Sequence, residues 1–190
     1  MLAGMQRLTL DRCCVISAAE GPAAGMPVLE LIALAEQGEV DLALTTAFDM
    51  ELPTADAAKA ARLSAFLSGC PVLGDTRVAG PFILGFSTLG TDYLSEPEAG
   101  PDWEAIRAIL RPGSRPNEPV WAEEEAEPER RRKYRQAIDG IHLLGHKLAG
   151  RDLFVTNDRE LLRRADRLQD ELGIRVSTPA RALQECSPPA

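Results

Sequence analysis

The last third of the chain alternates helical and strand patterns with short connections, and this restricts the fold more than any other feature. "AIDGIHLLGHKLAG" repeats apolar residues at Ile138, Ile141, Leu144 and Leu148, then stops at Gly150. "DLFVT" reads as a strand, "RELLRRADRLQDEL" as a helix stopped at Gly173, and "IRVS" as a second strand. A last helix opens at Thr178 and Pro179. Parallel neighbours need such crossovers, so the pattern predicts an α/β fold with a parallel sheet covered on both faces. In such a sheet, ligands collect beyond the carboxyl ends of the strands.

The first third repeats the theme. "RLTLDRCCVIS" reads as an opening strand that carries Asp11 and Arg12 among apolar and β-branched residues, and "MPVLELIALAEQGEV" as a helix stopped at Gly38. A second strand runs through Leu42 to Thr45 and leads into a turn with Asp49 and Glu51. The helix "TADAAKAARLSAFLSG" follows, with Thr54 or Asp56 as its cap. From about residue 70 to 118 the pattern is broken by Gly and Pro, with one apolar run at Phe82 to Phe86 and a short helix in "PDWEAIRAILRPG". That stretch reads as a surface insertion within a single domain spanning residues 1–190.

"WAEEEAEPERRRKYRQ" places five glutamates before four arginines and a lysine. It reads first as a solvated helix face laced by Glu to Arg pairs, and second as a local basic patch at Arg130, Arg131, Arg132, Lys133 and Arg135. The net charge of −8 excludes a global attraction to nucleic acid or an anionic membrane. The apolar run near the start is interrupted by Arg7, Asp11 and Arg12, so no signal peptide or membrane span is expected there. Four cysteines without CxxC spacing suit a reduced, cytoplasmic setting, with Cys13 and Cys14 as strand filler.

Four acids are expected near the carboxyl edge of the sheet: Asp11, Glu51, Asp139 and Asp158. Clustered carboxylates repel one another, and the simplest purpose they share is to hold a hard cation such as Mg2+ or Mn2+. An ion there suits phosphodiester hydrolysis. Each acid also has an ordinary reading. Asp158, or Asn157 with Glu160, can cap a helix; Asp139 can be a first-turn acid; Glu51 can be a loop acid, with Asp49 its close competitor. A charge within an apolar strand needs a partner, which makes Asp11 the least ordinary of the four. His142 shares a helix face with Asp139 and reads as a hydrogen-bonding residue beside the acids, His146 as packing or surface.

"LTLDRCCVIS", "EVDLALTTAFDMEL", "IDGIHLLGHKLAG" and "DLFVTNDREL", in this order, resemble the PIN-domain family of nucleases, which includes the toxin ribonucleases of toxin–antitoxin pairs. The resemblance implies a three-layer α/β/α sandwich around a parallel five-stranded sheet. It also implies a Mg2+- or Mn2+-dependent site that cleaves single-stranded RNA or DNA. It places the metal-binding and catalytic acids at Asp11, Glu51, Asp139 and Asp158, with Thr156 supporting them. About 87 residues, 52 to 138, separate the second and third acids, more than in compact members.

The expected function is therefore a metal-dependent endoribonuclease acting on single-stranded RNA, with an antitoxin protein as a partner and a homodimer left open. The alternative is a nucleic-acid or protein-binding module of the same fold without catalysis. A phosphoacceptor regulator also suits acids at strand ends, but the lysine that such a site carries on a late strand has no counterpart near "RDLFVT" or "GIRVS".

Overall fold

In the computed structural model, which describes residues 5–50, 56–74, 77–79, 99–113 and 126–186, the alternating pattern closes into one sheet. The first half supplies β1 (Gln6–Leu10), α1 (Arg12–Ala19), α2 (Pro22–Glu36), β2 (Val40–Thr45) and α3 (Ala47–Met50). After these come α4 (Ala57–Ser68), α5 (Pro71–Gly74), β3 (Arg77–Val78) and α6 (Ala99–Leu110). The long α7 (Glu127–Leu148) precedes β4 (Leu153–Val155), α8 (Arg159–Arg163), α9 (Ala165–Leu172), β5 (Val176–Ser177) and α10 (Pro179–Cys186). The strand order is β3-β2-β1-β4-β5, and every pairing is parallel. β1 therefore lies at the centre, and Asp11 N–H extends its ladder by donating to Val155 O at 2.9 Å.

The two-residue alternation of side chains sorts the strands between two cores. Leu8, Leu10, Leu42, Leu44, Leu153 and Val155 pack with α1, α2 and α10 on one face. Phe154 turns to the other face, where it joins Leu143, Leu144, Leu161 and Leu168. The sheet is thus the middle of three layers.

The first strand ends sooner than its β-branched composition suggests. β1 stops at Leu10, and "RCCVISAA" is helical. Asp11 consequently stands at the end of a strand and the start of a helix, and Cys13 and Cys14 lie on the first turn of α1. Packing overrides propensity here, because α1 must fold back onto the sheet to bury Cys14, Val15 and Ala18.

The stretch read as a surface insertion contributes to both the sheet and the core. β3 pairs with β2 through Arg77 and Val78, and α6 buries Ile106 and Ile109 completely against α7 and α9. The apolar run at Phe82 to Phe86 lies outside the described residues. "RELLRRADRLQDEL" is two helices, broken at Arg164, instead of one.

Among the described residues no single helix is long and apolar enough to cross a membrane. The one bent pair that passes by length and composition is α1 with α2, which turn through 115° and bury their apolar faces in the core. Their crossing is tight. A Cβ added at Gly25 would lie 2.4 Å from Ala18 Cα, a backbone atom that cannot swing aside. Gly25→Ala should therefore cost about 2 kcal/mol or more in chemical denaturation, although alanine favours helix.

Candidate functional site

Two of the proposed acids are joined by one hydroxyl. Asp158 N–H donates to Thr156 Oγ1 at 2.9 Å, and Thr156 Oγ1–H donates to Asp11 Oδ2. Thr156 is fully buried just past β4, and Asp11, 6% exposed, just past β1. β1 and β4 are paired neighbours, so the backbone fixes this meeting of two strand ends.

Asp11 combines burial with negative charge. Besides Thr156, Cys13 Sγ donates to the same Oδ2 at 3.2 Å. Among the described residues no cation pairs with Asp11, and Oδ1 accepts no hydrogen bond. Although Asp11 occupies the cap position of α1, its side chain makes no capping bond. A buried carboxylate in this condition normally needs a counter-charge.

Asp158 is itself the cap of α8. Its Oδ1 accepts from Glu160 N–H at 2.6 Å and Leu161 N–H at 3.3 Å. The reading that gave this cap to Asn157 is corrected. Asn157 instead donates its backbone N–H to Cys13 Sγ at 3.2 Å, with its side chain 3.5 Å from Ser17 Oγ. Nor does Glu160 close a capping box, because its carboxylate pairs with Arg163 and Arg164. The second oxygen of Asp158 keeps no hydrogen bond among the described residues.

Asp139 reaches the same edge by the register of α7. His146 Nδ1 meets Thr9 Oγ1 at 2.8 Å on β1, and His142 Nδ1 bonds Thr45 Oγ1 on β2. Thr9 is paired with Ala43, so Thr45 lies two residues further toward the carboxyl edge. α7 therefore runs against the strands, and Asp139, one turn before His142, is carried toward the strand ends. It is half-buried. α3, with Asp49 on its backbone, packs at that edge, where Ala47 meets Ile138 and Ile141. Glu51 lies outside the described residues, as does the side chain of Asp49.

Both histidines are 1% exposed and hydrogen-bonded. For His142 this agrees with the structural reading, and for His146 it selects packing over surface. Burial, reinforced by the nearby Arg151 charge, pushes the His146 pKa down to about 4. The hydrogen bond with Cys13, together with burial, holds the Cys14 thiol well above its ordinary range, so that sulfur is inert packing.

Reading the sequence alone missed Cys13, whose sulfur touches Asp11, Thr156 and the backbone of Asn157. Its position two residues after Asp11 was the only signal. Thr9 and Thr45 left a stronger one, as hydroxyls on the strand face opposite Leu8, Leu10 and Leu44, facing a helix with histidines four residues apart.

Most of the arginine block is engaged with its own helix. Arg130 and Arg131 pair with Glu127, and Arg132 pairs with Glu129. The solvated-face reading is the one these pairs support.

Among the described residues no group of three or more His, Cys, Asp or Glu side chains is placed to hold a metal ion. Mg2+ commonly takes only one or two carboxylates directly, the rest of its shell being water and substrate oxygen. Asp11 and Asp158 fit that smaller requirement. Comparison with known protein families, with characterised proteins and with solved structures finds no match to this chain.

Replacing Thr156 by Val removes the shared hydroxyl while keeping the shape. It should cost about 1–3 kcal/mol, because Asp158 N–H and Asp11 both lose a buried partner, and Thr156→Ser should recover most of the loss. Denaturant titration of the two variants measures it. His146 stays neutral in the folded chain at pH values where the unfolded chain protonates it. Its contribution is thus complete above about pH 6.5 and is lost as pH falls toward 4, on the order of 3 kcal/mol in all. Unfolding free energy measured against pH should show this slope, and His146→Phe should flatten it.

Proposed function

We propose that this chain is a Mg2+- or Mn2+-dependent endoribonuclease of the PIN-domain kind, hydrolysing phosphodiester bonds in single-stranded RNA. The observation that carries the reading is Asp11, a buried carboxylate at a strand end that has no cationic partner among the described residues and is tied through Thr156 to Asp158. A divalent cation is the counter-charge such a pair lacks. Asp11 and Asp158 would hold it, with Asp139 and the acid after β2, Glu51 or Asp49, completing the set. Oxygen donors without a grouped His or Cys favour Mg2+ or Mn2+ over Zn2+.

When bound, the ion would polarise a phosphoryl oxygen and make hydroxide accessible near neutral pH. The chain's own residues set the geometry. Thr156 and Cys13 both donate to Asp11 Oδ2, which fixes the rotamer and aims Oδ1 away from them. The cap bonds do the same for Asp158 through Oδ1, and leave Oδ2. Burial beside Leu10 and Val155 keeps the local dielectric low, which strengthens the hold on a cation. A toxin role in the cytoplasm, with an antitoxin as partner, belongs to the same proposal. A non-catalytic binding module built on the Arg130 to Arg135 block is less well supported, since three of those arginines are paired within α7.

The purified protein, given end-labelled single-stranded RNA and Mn2+, should cleave it, and chelation should stop cleavage. Asp11→Asn and Asp158→Asn should each reduce the rate by about 100-fold or more. Cleavage by these variants at the wild-type rate would refute the assignment.

A further inference from the structure

Two hydrogen-bonded bridges run from one carboxylate oxygen to two successive amides. Thr156 Oγ1 donates to Asp11 Oδ2 and accepts from Asp158 N–H at 2.9 Å. Cys13 Sγ donates to the same Oδ2 at 3.2 Å and accepts from Asn157 N–H at 3.2 Å. The bridges lie side by side, with the sulfur 3.4 Å from the Thr156 oxygen. Cys13 thus couples the start of α1 to the joint between β4 and α8, which carries Asp158. Its neighbour Cys14 is the sulfur that packs in the core, whereas Cys13 is half-buried and held by polar contacts.

Sulfur makes the second bridge long. A hydroxyl in its place would bond a carboxylate at about 2.8 Å and an amide at about 2.9 Å, against 3.2 Å at both ends here. A shorter bridge would draw Asn157, and the Asp158 carboxylate beside it, toward Asp11. Asp11 is 6% exposed, and among the described residues its Oδ1 accepts no hydrogen bond, nor does Asp158 Oδ2. Those are the two oxygens left for a cation, and the bridges govern how far apart the two carboxylates stand. Mg2+ demands a near-ideal octahedron at about 2.0–2.1 Å, and Ca2+ accepts flexible shells at about 2.3–2.6 Å, so that spacing bears on which ion is taken.

We propose that Cys13 is a positioning residue of the acidic site, its sulfur setting the spacing of Asp11 and Asp158 and thereby the size of divalent cation that the pair accepts. The inference rests on the nuclease reading for there being a cation at these two acids. The partners that orient a ligating carboxylate tune a metal site nearly as strongly as the carboxylate itself. Thr156 supplies the short bridge and Cys13 the long one, and only the long one can be shortened by exchanging a single atom.

Binding of Mn2+ to the RNA-free protein, followed by loss of the free-ion EPR signal with Mg2+ and Ca2+ as competitors, reads this without turnover. Cys13→Ala removes the bridge and should weaken Mn2+ binding about tenfold. Cys13→Ser shortens it, and should recover most of that affinity while shifting the preference between Ca2+ and Mg2+ toward Mg2+ by roughly threefold. Melting curves show whether each variant is folded, and if Cys13→Ala is not, the competition in Cys13→Ser decides the matter. Cys186→Ser, whose thiol bonds Gln6 at the start of β1, is the control and should bind as wild type. Wild-type Mn2+ affinity in Cys13→Ala, or an unshifted preference in Cys13→Ser, would overturn the role of Cys13, and wild-type cleavage in Mn2+ would then leave the nuclease reading intact. Equal losses for all three ions in both variants would reduce Cys13 to packing and overturn it as well. Binding that depends on Cys13, without any cleavage of RNA, would remove the nuclease reading and leave Cys13 as a positioning residue of a cation site. A wild type that binds no Mn2+ would overturn both.

Discussion

The guanidinium of Arg151 holds the sheet together at the end opposite the acids. It donates to Leu8 O at 2.9 Å and to Asp41 O at 2.6 Å, and it pairs with the Asp41 carboxylate at 3.1 Å. One side chain, 6% exposed, therefore binds the connection between α7 and β4 to both β1 and β2. Breaking a buried pair of this kind leaves an uncompensated charge inside the protein. The same charge helps to keep His146 neutral against Thr9. Everything that α7 places at the far edge, from His142 to Asp139 and on to Lys133, depends on the helix being anchored in register here.

At the carboxyl edge the dominant cost is desolvation. Leu10, Val155 and Cys14 surround Asp11 with apolar groups, and two weakly polar donors, a hydroxyl and a thiol, are its partners among the described residues. Neither cancels a charge. Arg12, the nearest cation in sequence, stacks 5.5 Å from the Phe48 ring centroid, and Arg77 stacks on the same ring at 5.4 Å. These contacts secure α1 and β3 to α3. Arg12 and Arg77 are thus engaged with an aromatic ring and not with Asp11.

The parallel sheet was legible because its tail alternates at two periods and its stops are glycines, of which Gly173 does adopt the left-handed conformation, at φ 70°. Asp56 was legible as a cap for a similar local reason. Three features were not. The helical fate of "RCCVISAA" is decided by burial against α2, a contact between distant backbone atoms that β propensity cannot report. The sheet role of Arg77 and Val78 rests on only two residues, too few to show a period. The burial of α6 depends on α7 and α9, which lie far along the chain. At the carboxyl edge, Asp11 and Asp158 could be placed at strand ends from sequence because strand ends are local, whereas the hydroxyl that couples them is a consequence of β1 and β4 being neighbours. Asn157 and Asp158 differ by one residue, and the choice between them as cap is made by φ and ψ.

The close approach of Gly25 to Ala18 gives the acidic edge two sides of unequal stiffness. Asp11 begins a helix whose far end is in backbone contact with α2, so the carboxylate is set on a frame that cannot slide or tilt without lifting a second helix. Asp158 begins a helix of five residues that ends at the break at Arg164. Any relative movement of the two carboxylates must come from the Asp158 side, with Asp11 as the fixed member of the pair.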